Sequence, residues 1–194
     1  MSSTDRRPVL YRSYEQAAQI VAGVRPDQLA GATACPEYDV AALIDHLVGA
    51  GWRTVELARG TTPDGFEFPH IELGDAPDEL LRAGKEAEAA WADDARLAAT
   101  VTMPWGETYD GSTLVDMYTT ELAAHSWDLA AATGQLDALA PDLAGPVLEA
   151  ARAMLKPHYR DLAGPGSPYG AEVAAPDDAT DWERLAAFMG RRPR

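Results

Sequence analysis

The sequence predicts an all-α fold, a bundle of four main helices with a short hairpin or extended segment before the central helix and a C-terminal extension. Three observations predict it. Apolar residues recur at helical spacing in successive segments, turn-rich connections separate those segments, and alanine is abundant within a hydrophobic content of 46%. At 194 residues the chain can bury a core without disulfides or a structural metal, so residues 1–194 are expected to form one domain.

The first helix is expected over residues 8–24, with Pro8 in its first turn and Leu10, Tyr14, Ala17, Ala18 and Val21 on one face. Prolines and small residues then mark a connection, and Asp39 caps a second helix over residues 40–59 with a stripe of Leu43, Ile44, Leu47, Val48 and Val55. Residues 61–77 read as a loop. Pro77 opens a third helix with an acidic first turn, expected to run to about residue 99 with Leu80, Leu81, Ala87, Trp91 and Ala95 inward. Residues 100–111 alternate around Pro104-Trp105-Gly106, which suggests the hairpin. The central helix follows, capped by Ser112 or Thr113 and ended by Gly134. Further helices are expected over residues 141–155 and 181–189, and the tail from Arg191 is expected to fray.

The charge of −15 argues against nucleic-acid and anionic-membrane partners, which need a basic footprint. A single cysteine, Cys35, excludes an intramolecular disulfide and a cysteine-rich zinc site, and fits a reducing compartment. No run approaches the length of a membrane span and no signal-peptide core follows the N-terminus, so the cytoplasm is the expected location.

The central helix carries a pattern that needs explaining. At 100° per residue Tyr118, Leu122 and Leu129 fall within about 80° of one another, and Glu121 and His125 lie inside or beside that arc. A carboxylate and an imidazole on a buried face need partners, because desolvating them alone costs several kcal/mol. A divalent metal is one such partner, and the i, i+4 spacing lets both groups reach one ion. A histidine bonded to a glutamate one turn away is the other. The third ligand has few candidates among four histidines. His46 lies about 60° off the edge of the second helix's stripe, although a flank position in a bundle can still face inward. His70 and His158 read as solvated or capping residues.

Four motifs in order carry a family resemblance: T-A-C-P-E-Y-D-V-A-A-L-I-D-H-L-V-G (Thr33 to Gly49), M-P-W-G-E (Met103 to Glu107), E-L-A-A-H-S-W-D-L-A-A-A-T-G (Glu121 to Gly134) and Y-G-A-E-V…R-L-A-A-F-M-G-R (Tyr169 to Arg191). The chain resembles actinobacterial metal-binding proteins related to the N-terminal domain of mycothiol-dependent maleylpyruvate isomerase, within the wider DinB-like superfamily. The resemblance implies a DinB-like four-helix bundle holding a metal, usually zinc, through His46, Glu121 and His125. Another divalent metal such as nickel is compatible with the same donors. Ala34 and Tyr38 stand where the family usually has Pro and Trp, which is expected to alter loop packing rather than ligation. The isomerase also has a C-terminal domain that supplies a catalytic arginine, and this chain is expected to lack it, so maleylpyruvate isomerisation itself is not carried over.

Two imidazoles and one carboxylate would leave zinc an open position, the arrangement of catalytic sites. A thiol bound there would be held as thiolate, ready to attack an electrophile by transfer or by addition and elimination. Cys35 reads as a buried small hydrophobe, so the thiol would come from a cosubstrate, which the resemblance implies is mycothiol. Asp128, three residues beyond His125, could orient a ligand or bond to loop backbone. Trp52, Trp105 and Tyr109 could line a pocket mouth or belong to the core. Three readings follow: a thiol-dependent transferase or isomerase acting on a small electrophile, a non-catalytic metal-binding sensor or interaction module, and a metal-free core pair. A homodimer remains open as the macromolecular partner.

Overall fold

The computed structural model describes residues 5–61, 68, 70–155, 160 and 170–193. In chain order the helices are α1 (Arg7–Ala22), α2 (Val40–Ala58), α3 (Ala76–Ala90), the one-turn α4 (Ala95–Ala98), α5 (Gly111–Thr133), α6 (Ala144–Met154) and α7 (Asp181–Phe188). An antiparallel hairpin of β1 (Thr100–Thr102) and β2 (Thr108–Asp110) pairs Val101 with Tyr109 and precedes α5. The fold is therefore the expected all-α bundle with a short hairpin before its central helix.

Packing follows from the apolar stripes. Helices α1 and α2 each pack against both α3 and α5, which makes a four-helix ring, and α6 joins α5 to α7 on the outside. Leu10, Tyr14, Ala17, Ala18 and Val21 are all buried on α1, and the Tyr14 hydroxyl donates to the Gly51 carbonyl of α2 at 2.7 Å. Leu43, Ile44, Leu47, Val48 and Val55 are buried on α2, and Leu114, Tyr118, Leu122 and Leu129 on α5. Because α5 touches α1, α2 and α6 at once, it is buried on almost every side. It has no solvent face from Leu122 to Ala130.

Four expectations need correction. Helix α3 ends at Ala90 rather than near residue 99. The Asp93 carboxylate accepts from the Ala95 backbone N–H at 2.9 Å and restarts the chain as α4, a local side-chain bond that competes with helix continuation. Leu81, on the outer face of α3, and Ala95, at the start of α4, face solvent rather than the core. The cap of α5 is Asp110, whose carboxylate accepts from the Thr113 N–H at 2.8 Å and from the Ser112 hydroxyl at 2.8 Å. An aspartate can satisfy both donors, and so displaces Ser112 and Thr113 from the capping position. Finally, Arg191 is buried, not frayed. Gly134 ends α5 as expected, in the left-handed conformation at φ 76°. No helix among the described residues is long and apolar enough to cross a membrane.

Candidate metal centre

Two helices build the site. On α2, Asp39 caps the N-terminus through the Ala42 N–H at 2.8 Å, which sets the rotation of the two turns leading to His46. On α5, Glu121 and His125 stand one turn apart. Packing α2 against α5 brings the His46 Nε2 to 2.7 Å from a Glu121 carboxylate oxygen, and the His125 Nε2 lies 3.4 Å from the same oxygen. One donor atom from each of the three residues falls within 4.8 Å of the others. The flank position of His46 faces inward because α2 has two neighbours, α3 and α5.

Two of those separations lie close to what a metal needs, and the spread of up to 4.8 Å across the three donors is one that a bound ion would draw in. Bond lengths of 2.0–2.1 Å around a tetrahedral ion put ligand atoms about 3.3 Å apart. The 3.4 Å pair already meets that spacing, and the 2.7 Å pair is a hydrogen bond that a cation would open by under an ångström. The donor set is two imidazoles and a carboxylate, the borderline chemistry zinc prefers.

Outer contacts fix one ligand more firmly than the other. The His125 Nδ1–H donates to Asp128 Oδ2 at 3.0 Å, since a carboxylate can only accept, and this turns Nε2 toward the site. Asp128 is completely buried and is gripped by Arg191, with Nε 3.0 Å from Oδ1 and Nη2 2.7 Å from Oδ2. His46 has no such support: its buried Nδ1 finds no hydrogen-bond partner among the described residues.

Burial works to raise the Glu121 carboxyl, but the charge of His125 and hydrogen bonds from His125 and His46 outweigh it and hold the group well below the usual carboxylate range. Burial likewise opposes charge on His125, yet the Glu121 carboxylate and the Asp128 hydrogen bond raise the imidazole to about 9. Asp128 is lowered, its burial overridden by the bonds from His125 and Arg191.

Two aromatic rings flank His46. The Tyr38 ring centre lies 4.9 Å from that of His46 and the Phe68 ring stands edge-on at 5.1 Å. Phe68 can reach this position because Gly49 has no side chain, as a Cβ there would fall 1.8 Å from the phenyl Cδ1. The Arg53 guanidinium lies over the phenyl ring, 4.8 Å from its centre. Side-chain exposure is 12% for His46, 18% for Glu121 and 2% for His125, so a narrow approach to the donors remains.

The structure places the other sequence candidates elsewhere. Trp52 donates to Glu79 at 3.2 Å and stacks under Arg82, on the α2–α3 seam. Trp105, 45% exposed, sits at the hairpin tip beside Tyr109 and Glu107. Tyr109 precedes α5, and the ten-residue rise from Gly111 to Glu121 separates it from the donors by about 15 Å along the helix. The contacts of Trp52 are thus with α3, and Trp105 and Tyr109 contact each other at the hairpin end. His70 is exposed and bonds to Asp45 at 3.0 Å, and His158 lies outside the described residues. Cys35 is buried, and burial raises its thiol, which suits a packing role. Sequence reasoning missed Tyr38 and Phe68 as site walls and Arg191 as a support. Tyr38 and Arg191 lie inside motifs already singled out, and the packing of Phe68 on Gly49, far apart in the chain, leaves no periodic signal.

A family model described as the mycothiol maleylpyruvate isomerase N-terminal domain matches residues 10–130. The chain belongs to this family. It is thereby a member of the DinB-like superfamily. Two uncharacterized proteins of Mycobacterium tuberculosis, from strains CDC 1551 / Oshkosh and H37Rv, are each 36% identical over 188 residues, covering 94% of this chain and 96% of theirs. No solved structure matches significantly. The isomerase-domain match contains His46, Glu121, His125 and Asp128, and stops short of Arg191.

Proposed function

We propose that this protein binds a divalent metal, zinc by the chemistry of its donors, and acts as a mycothiol-dependent S-transferase or isomerase on a small electrophile. The observation that carries the reading is the convergence of His46, Glu121 and His125 from two helices within 4.8 Å. Membership of a family named for a mycothiol-dependent isomerase supports the thiol.

A metal held there supplies Lewis acidity that keeps a bound thiol ionised at neutral pH. The residues supply the rest. Glu121 contributes the negative charge that retains a cation, and its lowered pKa keeps it ionised. Asp128 holds the His125 ring with Nε2 toward the site. Tyr38 and Phe68 shield His46 from water, which strengthens every charge interaction inside. Residues 1–194 are taken as one domain working in the cytoplasm on small molecules, and the charge of −15 supports the absence of nucleic-acid and membrane partners.

The aromatic cover on His46 favours a second reading, a metal-binding sensor or interaction module without catalysis. Thiol dependence separates the two. Cobalt-substituted protein titrated with mycothiol should develop sulfur-to-cobalt absorption in the near ultraviolet, and should accelerate conjugation of mycothiol to monochlorobimane above the uncatalysed rate. Stoichiometric cobalt with neither response would favour the module.

A further inference from the structure

Asp128 is buried and would be free to rotate about its side-chain bonds were His125 its sole partner. It is not free, because Arg191 spans both carboxylate oxygens at 3.0 and 2.7 Å. A planar guanidinium meeting a carboxylate through two parallel bonds sets the plane of the carboxylate as well as its position. Arg191 is itself held at both ends: its backbone N–H donates to the Ala186 carbonyl at 2.8 Å, and its Nη1 donates to the Met189 carbonyl at 2.9 Å. The chain reaches this position by turning off α7 at Gly190, which has φ 85° and lies against Gly170 so closely that a Cβ would fall 2.6 Å from the Gly170 Cα.

We infer that Arg191 is a positioning residue of the candidate metal centre, fixing the His125 ring through Asp128 so that Nδ1 donates inward and Nε2 faces the site. The consequence for metal affinity rests on the metal-binding reading, whereas the positioning itself does not. Removing a carboxylate that orients a metal-bound histidine typically weakens binding 10- to 100-fold, and loosening that carboxylate acts by the same route. The segment after α7, which lies outside the family match, is thereby part of the centre. Docking of that segment and retention of a metal reinforce each other by linkage.

The test uses the full chain with Arg191→Ala, Arg191→Gln and Arg191→Lys, read two ways. In metal-free protein, the buried His125 Nδ1–H should give a downfield, slowly exchanging proton resonance. That resonance should broaden or vanish in Arg191→Ala and weaken in Arg191→Gln. In cobalt titrations Arg191→Ala should bind about 10- to 100-fold more weakly with an altered visible spectrum, and Arg191→Lys, which keeps the charge without the fork, should fall between it and the wild type. A folded Arg191→Ala with an unchanged resonance and cobalt affinity within about twofold would overturn the inference. If Arg191→Ala fails to fold, an Arg191→Gln that matches the wild type in both readouts overturns it equally. A wild type that takes up no cobalt sinks the metal-binding reading, and the resonance then decides the role of Arg191 alone.

Discussion

His46 on α2 and Glu121 on α5 stand 2.7 Å apart, a bond across the bundle between residues 75 positions apart in the chain. It joins the two helices whose packing creates the site. A cation placed between them would exchange that hydrogen bond for two coordinate bonds and add His125 as a third.

Metal should therefore stabilise the fold. At free metal a hundredfold above Kd, linkage gives about 2.7 kcal/mol. For a chain of this size that is a rise of roughly 5–10 °C in Tm. Calorimetry with zinc and then with excess chelator should show the difference in the wild type and lose it in Glu121→Gln. Identical melting in both conditions would mean that the three residues form a hydrogen-bonded core cluster and nothing more.

The two histidines should not be equivalent. His125 has its Nδ1 held by Asp128, whereas the His46 Nδ1 has no partner among the described residues. In competition with a chromophoric chelator, His125→Ala is expected to lower zinc affinity more than His46→Ala. Asp128→Ala should cost about 10- to 100-fold although it touches no metal.

The pH dependence carries a definite sign. Glu121 and Asp128 raise His125 to about 9 against its burial. The unfolded value is about 6.5. A raised folded pKa stabilises fully below about 6.5, and that contribution is lost as pH climbs through about 9. Asp128 has the opposite sense, stabilising above the ordinary carboxylate value and losing its contribution as acid protonates it. Urea titrations of metal-free protein should accordingly weaken between pH ~6.5 and ~9, and zinc-loaded protein should not, because the bound imidazole is already neutral. Apparent zinc affinity should climb about tenfold per pH unit as it approaches pH ~9 and level off above it.

Two substitutions away from the donors separate stability from binding. Tyr14→Phe removes the buried hydroxyl that donates to Gly51 at 2.7 Å, a second bond to a carbonyl that α2 already engages in its own ladder. It should cost about 0.5–1.5 kcal/mol in denaturation and leave zinc affinity unchanged. Gly49→Ala drives a methyl into Phe68. Displacing that ring uncovers His46, so a chelator should extract metal several-fold faster, even though alanine favours a helix by about 1 kcal/mol over glycine. Extraction at the wild-type rate would show that Phe68 does not guard the site.

Much of this architecture is legible in the chain because local chemistry and global packing agree. The stripes of α1, α2 and α5 are buried as their spacing requires, and Gly134 ends α5 where a left-handed residue is needed. The pairing of Glu121 with His125 is a local fact of helical spacing. The third candidate was harder, since angular position on α2 puts His46 off the apolar stripe, and only contact with two neighbouring helices turns that flank inward. What periodicity could not reach is long-range polar pairing. Nothing near Arg191 signals that Asp128, 63 residues earlier, waits for it. Likewise the break between α3 and α4 carries a bond from the Ala95 backbone N–H to the Asp93 carboxylate, which a weak stripe does not reveal.

The central claim is that His46, Glu121 and His125 hold one divalent metal. Elemental mass spectrometry on protein purified without chelator, wild type beside His125→Ala and Glu121→Ala, tests it most directly. The account predicts about one zinc, or an equivalent divalent metal, per wild-type chain and a large loss in both variants. A wild type without metal even after zinc is restored, or variants that retain as much as the wild type, would contradict it.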